Sequence, residues 1–130
     1  MRKAENLAQI SQIPKDRILV ETDAPWCSIK ASHASHPILV EAFEEQDEGL
    51  EVVAAVKNLK SVKANNVRSQ GIVEDLEKEY LVKDRCEPLE VIKVVLVLSK
   101  IYGVSLKQMG LILEDNLTVF LSQNGQNKNK

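Results

Sequence analysis

Hydrophobic positions change period along the chain, and each change predicts an element. Ala4, Leu7, Ala8 and Ile10 recur at helical spacing, which predicts a short amphipathic helix over Arg2–Ser11. Pro14 cannot continue a helical hydrogen-bond ladder and biases Ile13 toward extended backbone, so the helix stops there. Arg17–Glu21 then reads as a strand. Its apolar run Ile18–Val20 has no polar alternation, as expected of a strand covered on both faces in a parallel sheet. From Thr22 to Pro37 every period is broken by Pro25, Ser28, Ser32, Ser35 and Pro37, which predicts a loop.

Beyond Ile38 the pattern turns acidic and then mixed. Leu50, Val53, Ala54, Val56 and Leu59 predict a helix that decays through Ser61–Gly71, where Asn65, Asn66 and Gly71 mark a flexible stretch. Ile72, Leu76 and Tyr80 share one face of a further short helix reaching Leu81. The last third is the most regular. Pro88 suits a first helical turn, Leu89–Tyr102 is a nearly all-apolar helix, and Gly103 is a natural stop. Ser105 caps a second helix to about Leu121, and the Asn- and Lys-rich residues 123–130 read as a disordered tail. A helix apolar on almost every face expects neighbours on several sides, and a lone strand needs a sheet. Both features predict that the chain is one portion of a larger fold.

Composition narrows the class. The 130 residues are 44% hydrophobic and 28% charged, the balance of a globular domain, and with 4% aromatics the core must be aliphatic. A formal net charge of -2 gives no basic stripe for sequence-independent duplex binding. A nucleic-acid substrate would therefore be gripped at a metal centre rather than by bulk charge. Cys27 and Cys86 lack CxxC spacing, and no apolar signal segment follows Met1, which predicts a cytoplasmic or nuclear chain that is not secreted. The longest apolar stretch, Val94–Leu98, is far short of a membrane span.

The strongest chemical signal is Glu21-Thr22-Asp23-Ala24-Pro25-Trp26. Carboxylates two residues apart at the end of a strand point to one face, and the C-terminal end of a buried strand is where α/β folds bind ligands and metals. Carboxylates there suit a hard or borderline divalent cation, Pro25 would fix the turn, and Trp26 could wall a pocket. The plainer alternative is a strand end whose Glu and Asp bond neighbouring loops. His33 and His36 supply fewer ligands than a structural zinc site wants, and a solvent-facing loop accounts for them. Cys27 has no recognisable His and acid pair around it and reads as a small buried residue beside Trp26. Arg85 with Glu87 is either a surface ion pair or a phosphate contact, and the acidic run Glu41–Glu51 reads as a solvated face.

The run Ile13–Trp26 resembles the last barrel strand of TatD-family metal-dependent deoxyribonucleases, with its ETD-(A/S)-P-(W/Y) signature. Cys27 and Lys30–Ala34 are similar to the loop of the family's eukaryotic branch, and Val82–Pro88 resembles its K-(D/G)-R-N-E-P turn. Ser105–Phe120 resembles the closing helix, with Asn116 and Phe120 in the places of its N-x-x-x-hydrophobic-F pattern. The blocks occur in the family's order and leave roughly Pro37–Leu81 unmatched, so 38–81 reads as a divergent, partly flexible insertion within a unit spanning 1–122.

The resemblance implies the C-terminal portion of a (β/α)8 TIM barrel, mostly helical with one barrel strand at about 17–21, and hydrolysis of phosphodiester bonds in DNA with divalent ions such as Mg, Mn or Zn. The family's ligands are an N-terminal His-x-His, a Glu, two further His and the Asp of the ETD motif. Only the last maps here, as Asp23, which the resemblance makes the catalytic metal ligand; Glu21, Trp26 and Arg85 would support it or line the substrate pocket. Most ligands of the site are therefore expected outside this chain, which by itself is expected to be inactive. The alternative is a non-catalytic interaction protein that keeps the barrel's terminal helices. The expected partners are DNA, no membrane, and either an N-terminal barrel half or a protein covering the apolar helix. Cys86 departs from the family's usual Asn, exchanging two donors and an acceptor for a weak hydrogen-bonding group.

Overall fold

A computed structural model of the chain describes residues 1–45, 51–63, 80–83 and 85–126. Helix α1 (Ala4–Ile10) lies inside the span that the periodicity predicts and ends ahead of Pro14. Lys15–Arg17 then forms a 3₁₀ turn closed by the Arg17 N–H donating to the Pro14 carbonyl at 3.0 Å. The strand expected over 17–21 is corrected here. Arg17 ends the turn, and Ile18–Thr22 has no ladder partner among the described residues. Its geometry is nevertheless strand-like. Ile18 is extended at φ -101 and ψ 132, and exposure alternates from buried Ile18 through exposed Leu19, half-buried Val20 and exposed Glu21. An extended segment becomes a strand only by pairing, and nothing in the described chain pairs with it.

Helix α2 (His36–Glu45) begins where the sequence reading still has loop. Pro37 falls in the first turn, where its missing N–H is not needed. Leu39 and Ala42 are buried on one face, while Glu41, Glu44 and Glu45 stay outside. Helix α3 (Glu51–Asn58) buries Val53 and Val56, as the spacing predicts. Strands β1 (Lys60–Val62) and β2 (Tyr80–Val82) pair in parallel with Ser61 opposite Leu81. They correct two expectations, that no second strand exists and that a helix reaches Leu81. Three residues are too short to display a period of two, so pairing rather than pattern reveals them. The flexible stretch read at Asn65, Asn66 and Gly71, and the helix over Ile72–Leu76, lie outside the described residues.

Pro88–Glu90 makes a 3₁₀ turn that leads into helix α4 (Val91–Tyr102). Gly103 closes α4 in the left-handed conformation at φ 60, with the Val104 N–H donating to the Ser99 carbonyl at 3.0 Å. Helix α5 (Leu106–Gln126) starts with a reciprocal cap. The Gln108 N–H donates to Ser105 Oγ and the Ser105 N–H to Gln108 Oε1, both at 3.1 Å. The helix outruns its expected end at Leu121, so residues 123–126 are helical rather than tail, and 127–130 lie outside the described residues.

Helix α4 is the centre of the core. Val95–Ser99 are buried right round the helix, with Leu96 and Val97 fully enclosed. Leu39 and Ala42 of α2, Val53 of α3, Leu106 and Met109 of α5, and Ile18 complete the cluster. This is an aliphatic core, as the composition requires. α4 is buried or half-buried along its length, and the large apolar residues left exposed among the described ones are Ile13, Leu19, Trp26, Val40, Leu89 and, on α5, Leu111, Leu117, Val119, Phe120 and Leu121. Among the described residues no helix is long and apolar enough to cross a membrane.

Candidate functional site

Of the residues singled out from sequence, Glu21 and Asp23 lie together where the extended segment ends. Asp23 forms an antiparallel bridge with Cys27, and its carbonyl accepts the Trp26 N–H at 2.6 Å and the Cys27 N–H at 3.1 Å. This closes a tight turn over Ala24 and Pro25, whose peptide bond is cis. The alternation of the segment carries through, so Glu21 and Asp23 are both exposed while Thr22 between them is half-buried. A second block docks on this turn. The Cys86 N–H donates to the Pro25 carbonyl at 3.1 Å, so the turn before α4 is fastened to the turn after the extended segment. Asp84 of that block lies outside the described residues.

Together the blocks border a cavity of about 350 Å³, lined by Glu21, Asp23, Cys27, His33, Cys86 and Glu90 among others. Its polar wall is organised by local pairs. Arg2 Nη2 donates to Cys27 Sγ at 3.3 Å, and the Arg2 carbonyl accepts the Ala34 N–H at 3.0 Å, tying the N-terminus to the loop. Glu90 is buried and paired with Lys93 Nζ at 3.2 Å, three residues along the same helical stretch. Burial pushes the Cys86 thiol above its ordinary range, and the nearby Glu90 carboxylate pushes in the same direction. Desolvation and then the Arg2 guanidinium hold the His33 imidazole below its ordinary range, and its Nδ1 accepts the Lys30 N–H at 3.3 Å.

The structure divides the residues singled out from sequence. Glu21 and Asp23 come together on the cavity. Trp26 does not: it is 76% exposed and outside the lining. Arg85 is turned to solvent and pairs with Glu87 at 3.4 Å. His33 and His36 do not converge, because His36 borders a different hollow beside Leu39 and Phe43. Sequence reasoning missed Arg2 and Glu90. Glu90 carried a signal, since Glu90 and Lys93 are spaced as a helical ion pair that a buried carboxylate needs. Arg2 carried none, because its role depends on where the loop folds back.

The donors do not by themselves make a metal centre. Among the described residues no group of three His, Cys, Asp or Glu side chains is placed to hold an ion. A carboxylate at a cavity edge can serve as one ligand, and hydrolytic ions need several.

No family model matches the chain. The Deoxyribonuclease Tat-D of Saccharomyces cerevisiae is 42% identical over 106 residues, which is 82% of this chain and 23% of that protein. The Deoxyribonuclease Tat-D of Schizosaccharomyces pombe is 46% identical over 39 residues, 30% of this chain and 12% of that protein. Among solved structures, an uncharacterized amidohydrolase from Saccharomyces cerevisiae superposes with a TM-score of 0.73 at 34% identity, covering 91% of this chain and 30% of its own. A TatD-family hydrolase from Entamoeba histolytica gives 0.55 at 25% identity, covering 89% of this chain and 30% of its own. The chain thus spans about a quarter of the first curated relative's length, at 23%. Over that matched part, its sequence and its fold are those of the TatD family.

Proposed function

We propose that this chain contributes the C-terminal corner of a TatD-type metal-dependent hydrolase acting on phosphodiester bonds in DNA. The observation that carries the reading is the fastening of the two motif blocks through Cys86 and Pro25, which sets Glu21 and Asp23 on one cavity. The DNA part rests on the curated relatives, both deoxyribonucleases by name. In a (β/α)8 barrel the site is built at the C-terminal ends of the strands. Ile18–Thr22 would be such a strand once paired, with Asp23 at its end as one metal ligand.

Glu21, on the same face, would hold Asp23 in place through the shared turn. Trp26 would meet substrate from its exposed position, and Arg85 would leave Glu87 for a phosphate oxygen. Divalent ions supply polarisation of the phosphate and a more acidic water. That chemistry needs ligands beyond Asp23, so the chain alone is expected to cleave no DNA. Cys86, in place of the family's Asn, keeps the backbone bond to Pro25 and gives up the side-chain amide.

The test is a chimera in which this chain's residues replace the matched 106 residues of the yeast deoxyribonuclease. It should cleave linear DNA with added Mg, Mn or Zn, and Asp23→Ala should lower the rate by at least about a hundredfold. A folded chimera whose rate is unchanged by Asp23→Ala would remove Asp23 from the site. The second reading, a non-catalytic interaction protein, is favoured by the exposed apolar residues of α5. A folded but inactive chimera would support that reading instead.

A further inference from the structure

Two cysteines from different blocks of the chain line one cavity, and both are free thiols. Cys27 ends the tight turn that begins at Asp23 and is bridged to it. Cys86 docks on the same turn, its N–H donating at 3.1 Å to the carbonyl of Pro25, two residues ahead of Cys27. The two are near enough for charge on Cys27 to push the Cys86 thiol up. They differ in access, since Cys27 is half-buried and Cys86 is buried. The Cys86 sulfur has little to give up, because its hydrogen bond to the Glu87 carbonyl is long, at 3.8 Å. Cys27 leads into residues 28–30, which belong to no helix or strand and can adjust. A disulfide asks for Cα atoms within about 7 Å, and a backbone hydrogen bond beside one partner brings the two blocks to that order of separation.

We propose that Cys27 and Cys86 form one oxidation site, in which hydrogen peroxide converts the two thiols to a reversible intrachain disulfide. Cys27, the reachable thiol, attacks the peroxide O–O bond, takes one oxygen as a sulfenic acid and releases the other as water. Cys86 then attacks that sulfur, the S–O bond breaks, and the oxygen leaves with the Cys86 proton as a second water. The two thiols lose two electrons and two protons, and the peroxide is fully reduced. Burial keeps Cys86 from the reagent and leaves it beside the sulfur it must attack. An accessible thiol next to a resolving partner is the arrangement of a redox-sensing pair. The residue at 86 creates the pair, because the asparagine of the motif that Val82–Pro88 resembles could form none. The disulfide would join covalently the two blocks that the Cys86–Pro25 bond now holds, and so fix the cavity wall that carries Asp23. This does not depend on the hydrolase reading, since it is read from the mass of the chain rather than from cleavage.

The test is peptide mass mapping, without reductant, of the full chain after treatment with a stoichiometric amount of hydrogen peroxide. A peptide pair joined through Cys27 and Cys86, lighter than its reduced parts by two hydrogens, is expected, and dithiothreitol should release it. The link should be lost in Cys27→Ser and in Cys86→Asn. The second variant should instead hold Cys27 as a sulfenic acid that dimedone traps. Chain unfolded in urea and given the same peroxide should form far less of the link. Circular dichroism of each variant confirms that the helices are intact. Links between copies, equal linking in urea, or equal dimedone trapping of Cys27 in the parent and Cys86→Asn would each overturn the proposal. Two surviving thiols, or sulfinic acid at Cys27 beside an unreacted Cys86, would overturn it too.

Discussion

The side-chain amide of Asn116 holds Ile18 in place. Asn116 Nδ2 donates to the Ile18 carbonyl at 2.8 Å and to the Lys15 carbonyl at 2.7 Å, so one amide of α5 spans the 3₁₀ turn that precedes the extended segment. The Lys15 carbonyl opens the turn and the Ile18 carbonyl lies just beyond it, where no ladder partner is found among the described residues. Asn116→Ala should therefore cost about 1–3 kcal/mol, read from the denaturant midpoint at constant slope. Asn116→Asp should be at least as damaging, because a carboxylate offers no donor and sets negative charge against the carbonyl oxygens. A midpoint unchanged by both substitutions would mean that water replaces the amide without loss.

This latch shows why the sequence revealed the helices better than the strand. The spacing of apolar positions in α1, α3, α4 and α5 follows from local periodicity, and Gly103 and Ser105 signal their ends by local backbone chemistry. Helix α2 was hidden because Pro37 and its glutamates break the apolar pattern, although Leu39 and Ala42 share a buried face. Strands need partners, and among the described residues Ile18–Thr22 has none, so composition alone does not give it a ladder. That Glu21 and Asp23 would share one side was legible because they belong to one short motif, and they line one cavity. Glu90 and Arg2 join them only through tertiary packing, which no local spacing encodes.

Lys100 links α4 to α2 through Glu41 Oε1 at 3.1 Å and through Glu45. The hydrogen bond from Lys100 holds the Glu45 carboxyl below its ordinary range, and the same bond raises Lys100. For Glu45 the linked stability is present above the ordinary carboxylate value and is lost as pH falls through the depressed one. For Lys100 it is present below the ordinary lysine value and is lost as pH rises through the raised one. Lys100→Met should flatten the acid side of a plot of thermal midpoint against pH. Salt should weaken the parent's dependence, since the carboxylates are largely exposed. A parallel fall for both proteins would show that this bridge contributes nothing to acid stability.

Gly103 isolates a backbone effect from packing. Its φ of 60 is one that L side chains rarely adopt, and a Cβ built there would meet nothing within 4 Å. Gly103→Ala should thus cost about 1 kcal/mol through conformation alone. Gly103→Asn should recover part of it, because Asn tolerates the left-handed region. If thermal melts of the Ala variant match the parent, the link between α4 and α5 must be able to close by another turn.

Cys27 and Cys86 share a cavity wall but should differ as nucleophiles. Cys86 is 3% exposed, and burial followed by the Glu90 carboxylate pushes its thiol up. Thiol reagents attack the thiolate, so Cys86 is protected both by access and by ionisation. Cys27 is half-buried with Arg2 donating to its sulfur, and it should be labelled first. Time-resolved labelling should show two phases, with the slow one absent in Cys86→Ala. Because the folded thiol is raised, its share of stability is full below the ordinary thiol value and disappears as pH rises through the raised one. Glu90→Gln should remove part of that shift and quicken the slow phase without touching the fast one. Equal labelling rates at both cysteines in the folded parent would show that the turn holding Cys86 opens faster than the reagent reacts.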